Sequence, residues 1–355
     1  MSWVLTAILY LIAIAIGLLL IAALLAPLES LGWWAGWSRR WPEPVSLPAQ
    51  PATHVRHGDA APACYVLFLS GIGITDAAEL TLKEQNFLDL LAARLPNAII
   101  AHDIFPYSAT NNPLTGQRPL RRLWIWIERA VRQPRTKGLF RLVALRNVLQ
   151  VAVSADRRYG PVYNFGVARG ILLSLLRRGY RPRSQAPIIL IGLSGGGQIA
   201  VGGGATLHRL LDVPIWVVSI GGVLTSDPSI LDIEHVFHLA GGQDRIQNLG
   251  MMLYPGCWPI ARGSAWNRAL AQGKRTIIPV GPMTHMSHGD YFSRSMSLPN
   301  GRSHVEHTVA VIAEVIAKLS AQVLAAPKPG QLVQTTQGEQ YQIDEGAGSD
   351  AHRSV

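Results

Sequence analysis

The most informative segment of this 355-residue chain reads Ile189-Leu-Ile-Gly-Leu-Ser-Gly-Gly-Gly197. Its apolar residues predict a strand over 187–192, because a short apolar run bounded by turn residues is typical of a buried strand in a parallel sheet. The glycines predict a sharp turn, and residues 198–211 have the composition of a helix. A strand that turns tightly into a helix is a repeating unit of α/β folds.

The same alternation extends to both sides of this segment. Short apolar runs predict strands, and longer mixed runs predict helices. Further strands are predicted at 65–69, 98–102, 215–220, 236–239 and 276–280, and further helices at 76–95 and 304–324. Strands that alternate with helices predict an α/β fold with a doubly wound, mostly parallel sheet, which we place in a domain at 63–326.

One part of this domain lacks the alternation. Residues 111–159 contain amphipathic helix patterns but no strand pattern, and the run 120–127 mixes tryptophan, aliphatic and arginine residues. Helices inserted between two strands of such a sheet pack over it. We therefore expect a helical cap, or lid, at about 108–160.

The N-terminal residues differ in character from this domain. Residues 3–26 contain no charged side chain, and 24 helical residues at 1.5 Å each can cross the roughly 30 Å hydrocarbon core of a bilayer. The missing positive n-region favours a retained anchor over a cleaved signal peptide. We therefore expect a transmembrane anchor at 1–28, followed by an interfacial segment and proline-rich linker at 29–62.

The flanking residues indicate how the chain is oriented. Arg39 and Arg40 follow the anchor, among several tryptophans, whereas only the α-amino group precedes it. The positive-inside rule therefore places the large domain on the cytoplasmic side of the membrane. At the other end, residues 327–355 are polar and rich in glutamine and glycine, a composition typical of a disordered tail.

The net charge of +10 is a local feature of the chain. Residues 118–183 contain sixteen lysines or arginines and two acids, Glu128 and Asp156, so this stretch carries +14 and the rest of the chain −4. Such a stretch attracts anionic lipid, an acidic substrate or nucleic acid. No nucleic-acid motif accompanies it, and its arginines alternate with apolar residues at helical spacing. We expect an anionic bilayer as the partner, and no nucleic acid.

Other glycine and cysteine motifs are excluded. The phosphate loop G-x-x-x-x-G-K-[ST] does not occur, because Gly273 is followed by lysine and then by Arg275. Gly71 begins a dinucleotide-like pattern that lacks its third glycine. Cys64 and Cys257 have no metal-ligand spacing and do not make a disulfide framework.

The glycine turn identifies a candidate nucleophile. Gly192-Leu-Ser-Gly-Gly196 matches the nucleophile elbow G-x-S-x-G, between a strand and a helix. In these residues the sequence resembles the α/β-hydrolase family. The resemblance implies that Ser194 is the nucleophile of a serine hydrolase, with no metal or organic cofactor. The alternative interpretation is a plain glycine turn with a serine at the start of a helix.

The resemblance also implies an oxyanion hole. In this family the residue after the nucleophile gives one backbone N–H, and the loop after an early strand gives the other. Those positions correspond to Gly195 and, in the run Ser70-Gly-Ile-Gly73, to about Ile72. A plain strand-to-helix turn is the alternative for this loop.

The acid and the base follow in the family's order of Ser, acid and His. Asp244 comes after a predicted strand and two glycines, and it is favoured over Asp227, which follows the strand before. His285 lies five residues past the last predicted strand and is favoured over His288. A metal site made of both histidines and Asp290 is the alternative, but no further His or Cys cluster completes it.

These residues predict acyl transfer to water. The substrate expected from the anchor and the basic cap is an acyl ester of a lipid or another membrane-associated molecule. Since a fold does not specify a substrate, thioesters and amides stay open. The alternative from another functional class is a non-catalytic, membrane-tethered interaction protein with the same fold.

Overall fold

The computed structural model describes residues 3–11, 13–14, 17, 35, 62–77, 80–114, 122, 124–126, 129, 140–184 and 186–325. The strands are β1 (Cys64–Leu69), β2 (Ala98–Ala101), β3 (Ile188–Leu193), β4 (Ile215–Ile220), β5 (His235–Ala240) and β6 (Arg275–Pro279). The labelled helices are α1 (Leu82–Arg94), α2 (Phe140–Ala155), α3 (Gly160–Arg177), α4 (Gly195–Leu211), α5 (Leu249–Leu253), α6 (Ala265–Ala271) and α7 (His304–Ala325). Short 3₁₀ turns lie at Pro182–Ser184, Pro228–Leu231, Ile246–Asn248 and Pro255–Cys257.

The six strands form one parallel sheet in the order β2-β1-β3-β4-β5-β6. This arrangement confirms the predicted α/β class and the parallel sheet. The chain runs from β1 to β2 on one side and then crosses to β3 on the other. The order of the strands therefore reverses between β1 and β3, and ligands bind in open α/β sheets outside the carboxyl ends of the strands at such a switch point.

Both faces of the sheet are covered by helices, so the central strands read as continuous apolar runs. In β1, Tyr65 and Leu67 belong to the core cluster that contains residues of α3 and α4. Val66 and Phe68 belong to a second cluster, which contains residues of α1 and α7. This period of two residues assigns alternate side chains to opposite faces.

Helix α3 was not among the predicted elements. Gly160 and Pro161 resemble a helix break in the sequence. A proline in the first turn of a helix loses no hydrogen bond, however, because an N–H at that position would have no partner within the helix. Inside the helix, a Cβ on Gly166 would overlap the carbonyl oxygen of Ala109. The glycine thus lets α3 pack directly against the loop after β2, which propensity alone does not reveal.

The other element boundaries differ little from the predictions. Helix α1 begins at Leu82, not at 76, because Thr81 accepts the N–H of Glu84 while the Glu84 carboxylate accepts the N–H of Thr81. This capping box satisfies two backbone N–H groups that would otherwise lack partners. Helix α4 begins at Gly195, three residues before the predicted start.

The expected N-terminal transmembrane helix is not supported. No helix within the described part of the chain is long and apolar enough to cross a membrane. Helical backbone is described at 3–11, 13–14 and 17, and the rest of the expected anchor and nearly all of the linker at 29–62 lie outside the described residues.

The expected cap is described only in part. Its helix α2 packs against α3 and α4, on one face of the sheet. Most of 115–139 and the expected disordered tail at 327–355 lie outside the described residues. The domain boundaries drawn from the sequence therefore stay predictions.

Candidate active site

Ser194 occupies the turn between β3 and α4 in a strained conformation. Its φ is 54° and its ψ −121°, a backbone region that residues with a side chain rarely adopt. The flanking glycines make this turn feasible. A Cβ on Gly192 would lie 2.5 Å from the carbonyl oxygen of Gly196, and one on Gly196 would lie 2.6 Å from that of Leu69. The turn holds the Ser194 hydroxyl at the carboxyl edge of the sheet.

The structure brings Ser194, His285 and Asp244 together in one hydrogen-bonded chain. The Ser194 Oγ lies 2.7 Å from His285 Nε2. On the other side of the ring, His285 Nδ1 lies 2.9 Å from Asp244 Oδ2. The His285 side chain is 10% exposed and that of Asp244 is 0% exposed. An imidazole so placed can accept the serine proton at Nε2 while Nδ1 donates to the carboxylate.

The Asp244 carboxylate is surrounded by donors. Tyr291 Oη donates to Oδ2 at 2.8 Å, and the N–H groups of Ile246 and Gln247 donate to Oδ1 at 2.9 and 3.2 Å. Burial alone would raise the pKa of this carboxyl, but His285, Tyr291 and the Gln247 N–H hold it below its ordinary value. Asp244 is therefore ionised at neutral pH, as a partner of an imidazole must be.

Tyr291 is itself fixed by a second contact. Its hydroxyl accepts the N–H of Gly241 at 2.9 Å while it donates to Asp244. Burial and the neighbouring Asp244 carboxylate raise the pKa of Tyr291 far above its ordinary value, so the phenol keeps its proton and remains a donor.

The alternative acid and base have other partners. His288 Nε2 lies 3.1 Å from Ser295 Oγ on an exposed loop. Asp227 accepts the N–H of Ser229 at 3.0 Å at the start of a 3₁₀ turn, and it accepts a 3.2 Å bond from Gln198. The geometry thus brings the favoured pair, and neither alternative, into the chain that reaches Ser194.

A metal site receives no support from the geometry. Asp290 forms an ion pair with Lys83, whereas His285 bonds Ser194 and Asp244. Throughout the described ranges there is no group of three or more His, Cys, Asp or Glu residues that could hold a metal ion.

The predicted oxyanion-hole residues lie next to each other. A Cβ on Gly195 would come within 2.7 Å of Ile72 Cγ2, and one on Gly71 would be 3.9 Å from Ser194 Cβ. In the part of the chain that the structure describes, neither the Ile72 nor the Gly195 N–H has an acceptor. Helix α4 begins at Gly195, so its positive N-terminal end also faces this position.

Helix α2 holds the loop after β1 in place. The side-chain amide of Asn147, which is fully buried, donates to the carbonyl oxygens of Ile72 and Ile74 at 2.8 and 2.9 Å. The Asn147 Oδ1 accepts a bond from Arg146 at 3.1 Å, which fixes the orientation of the amide. Arg146 also donates to the carbonyl oxygen of Tyr107. The backbone of the loop is therefore determined by a helix distant in sequence.

Two more contacts fix the start of the same loop. The hydroxyl of Tyr107 donates to the carbonyl oxygen of Ser70 at 2.8 Å. The Ser70 hydroxyl donates to the buried carboxylate of Glu84, at the start of α1.

Sequence reasoning missed the residues that support the site. Tyr291, Asn147 and Glu84 each bond a residue distant in the sequence, and no motif marks Tyr291 or Asn147. A faint signal existed only for Glu84, because threonine followed by glutamate three residues later is the sequence signature of a capping box.

The fold and this geometry are compatible with the α/β-hydrolase fold. No protein-family model matches the chain, and no curated protein matches it significantly.

Proposed function

We propose that the protein is a serine hydrolase of the α/β-hydrolase type that cleaves acyl esters through a Ser194–His285–Asp244 triad. The observation that carries this proposal is the unbroken hydrogen-bonded chain from the Ser194 hydroxyl through both ring nitrogens of His285 to a buried carboxylate. The strained turn at Ser194 adds weight, because such conformations cluster at functional sites.

The proposed reaction has two halves. Ser194 Oγ attacks the ester carbonyl carbon, and its proton passes to His285 Nε2. The Ile72 and Gly195 N–H groups stabilise the negative oxygen of the tetrahedral intermediate. The C–O bond then breaks, and His285 gives its proton to the departing alcohol. Water, deprotonated by His285, attacks the acyl-enzyme and releases the acid and Ser194.

The substrate class follows from context and is part of the proposal. An ester of a lipid, or of another molecule held at a membrane, fits the basic stretch at 118–183, which would attract anionic head groups. A short water-soluble ester is the appropriate first substrate, because it reports the chemistry without any requirement for lipid.

The first experiment is labelling with a fluorophosphonate, which reacts covalently with an activated serine. We expect the full-length protein to label, and Ser194→Ala and His285→Ala to lose the label. His288→Ala is the matched control and should label like the unchanged protein, since His288 bonds Ser295 instead. Absence of labelling in the unchanged protein, with and without lipid or detergent, would favour the non-catalytic interaction protein.

A further inference from the structure

The segment between β5 and α6 exposes an unusual number of apolar side chains. Helix α5 has the sequence Leu-Gly-Met-Met-Leu, and its glycine faces the protein while Met252 and Leu253 are 68 and 69% exposed. Ile260, further along, is 85% exposed. We call this the 246–260 surface, and its exposed apolar members are Ile246, Met251, Met252, Leu253, Trp258 and Ile260. Clustered apolar residues in contact with water mark interaction sites.

The backbone of this segment packs closely against the rest of the domain. A Cβ on Gly250 would overlap the carbonyl oxygen of Leu224, and one on Gly256 would overlap the side chain of Ser226. Trp258 Nε1 donates to the carbonyl oxygen of Met251 at 2.8 Å. Because the glycines fill the inward positions, the apolar side chains cannot turn inward without moving the backbone. Their exposure is therefore built into the local fold.

The 246–260 surface adjoins the candidate active site. It begins immediately after Asp244, and the N–H groups of Ile246 and Gln247 donate to the Asp244 carboxylate. On the loop after the neighbouring strand, Met286 follows His285 and is also largely exposed. A partner seated on this surface would therefore lie beside the triad.

The charge around the surface is mostly positive. Residues 245–289 contain no aspartate or glutamate, whereas five of them are lysine or arginine, including the exposed Arg245 and Arg262. One acid, Asp156, lies near this surface. Burial, then Cys257, and then the Asp156 charge raise the pKa of Tyr254. Asp156 is followed by two exposed arginines at 157 and 158, so the surroundings remain cationic.

We propose that the 246–260 surface docks on an anionic lipid bilayer, with its apolar side chains inserted at the interface and its arginines among the head groups. Apolar residues bordered by arginine are typical of such interfacial segments. If a second copy of the chain bound through the same surface, the cationic surroundings of the two copies would face and repel each other. The apolar residues 3–26 offer no acidic partner for the arginines. The further statement that the substrate is an ester drawn from that bilayer rests on the proposed function.

A matched pair of fluorescent labels tests the docking. Met251→Cys and Leu210→Cys replace residues that are both 47% exposed, and Leu210 lies at the far end of α4, about 25 Å along the helix from Ser194. The native Cys64 and Cys257 are buried, and burial raises the pKa of each thiol to about 11, so they react slowly at neutral pH. A polarity-sensitive dye is attached to the full-length protein at each new cysteine.

The labelled proteins are mixed with phosphatidylcholine vesicles that carry nitroxide lipids, with and without phosphatidylserine. We expect quenching of the dye at 251 and little quenching at 210, and only when phosphatidylserine is present. Arg245→Gln with Arg262→Gln should weaken this effect about fivefold per arginine. Equal quenching at both positions, or none at 251, would overturn the proposal. A dye at 251 that is already shielded in buffer would show a second copy or another segment on the surface and would also overturn it.

A double variant separates docking from catalysis. Met252→Glu with Leu253→Glu should abolish quenching at 251 yet leave hydrolysis of a short soluble ester unchanged, because neither side chain contacts the triad. Leu210→Glu is the control for an added charge and should alter neither property. If the unchanged protein hydrolyses no ester, the proposed function fails, and the quenching result still decides whether the surface docks.

Discussion

The triad side and the oxyanion side of the candidate site are held in place by different kinds of contact. The triad side consists of the loops after β5 and β6, which belong to adjacent strands and bond each other directly through Asp244, His285 and Tyr291. The oxyanion side is the loop after β1, which bonds Asn147 of α2 and Glu84 of α1. The catalytic contacts of the first side run between two loops at the sheet edge, with Thr308 of α7 bonding the Tyr291 carbonyl oxygen at 3.0 Å, whereas the second side is bonded by side chains of α1 and α2.

This difference has a mechanistic consequence. A change in the position of α2 would move the Ile72 carbonyl, and with it the adjoining peptides, without disturbing the Asp244–His285 contact. Transition-state stabilisation and proton transfer can therefore be damaged separately, and substitutions on each side should have distinguishable signatures.

The largest expected effect is on the triad side. Asp244→Asn should lower kcat for a soluble ester by about 10⁴-fold, the loss that the same change causes in Ser-His-Asp proteases, because the amide favours the wrong tautomer of His285. Asp227→Asn is the matched control and should keep kcat nearly intact, since Asp227 caps a turn instead. Equal losses in the two variants would refute the assignment of the acid.

The sequence was sufficient to propose the triad residues, but it did not reveal the residues that support the oxyanion side. Ser194, Asp244 and His285 each follow a strand in a fixed chain order, so a one-dimensional pattern was enough to propose them. Asn147 is 75 residues from Ile72, and its partners are backbone carbonyls, which leave no trace in residue identity. Helix α3 was missed because its glycines, which serve close packing, resemble helix breakers in a linear pattern.

On the oxyanion side, Asn147→Ala should lower kcat about tenfold to a hundredfold with KM little changed. The two carbonyls lose their donor, and the loop no longer holds the Ile72 N–H in position. Removal of a whole oxyanion donor costs about 10²–10³-fold, so displacement should cost less. Steady-state kinetics on a soluble ester measure the effect.

The matched control is Asn164→Ala in α3. Asn164 is also buried and bonds Ser154 through both of its amide atoms, but it does not contact the loop after β1. Both variants should lose about 1–3 kcal/mol of unfolding free energy, whereas only Asn147→Ala should lose kcat. A comparable loss of kcat in both would mean that Asn147 acts through general stability alone.

Tyr291→Phe should give a pH signature on the triad side. The Tyr291 hydroxyl contributes to the low pKa of Asp244. A carboxyl whose pKa is depressed on folding contributes stability that is present above its unfolded pKa, near 4, and is lost as pH falls through the folded pKa. The variant should therefore be less stable than the unchanged protein by about 1.5–3 kcal/mol at pH 7.

This deficit should shrink below pH 4, where the carboxylate becomes protonated in both proteins. Urea unfolding at a series of pH values measures the difference. If the difference in unfolding free energy stayed constant from pH 7 to pH 3, the Tyr291 hydroxyl would stabilise the fold only through its bond to the Gly241 N–H. Asn147→Ala provides the comparison, because an amide does not titrate and its deficit should be independent of pH.

The smallest expected effect concerns the connection between the two sides. Lys83 lies in the first turn of α1, next to the residues that hold the oxyanion loop, and its Nζ bonds the carbonyl oxygen of Ser287 at 2.9 Å and the carboxylate of Asp290. Ser287 has a φ of 92°, so this lysine supports a strained turn two residues after His285. Because Lys83 is about half exposed, its ion pair should contribute at most about 1 kcal/mol.

Lys83→Met should therefore lower kcat only a few-fold, and the difference from the unchanged protein should shrink as salt is added, since salt screens exposed pairs. Lys318→Met is the control, because Lys318 forms a similarly exposed pair with Glu314 on α7. A salt-dependent change in kcat confined to Lys83→Met would mean that the two sides communicate through α1. An unchanged kcat would mean that each side is set by its own contacts, and that α1 serves only the oxyanion loop.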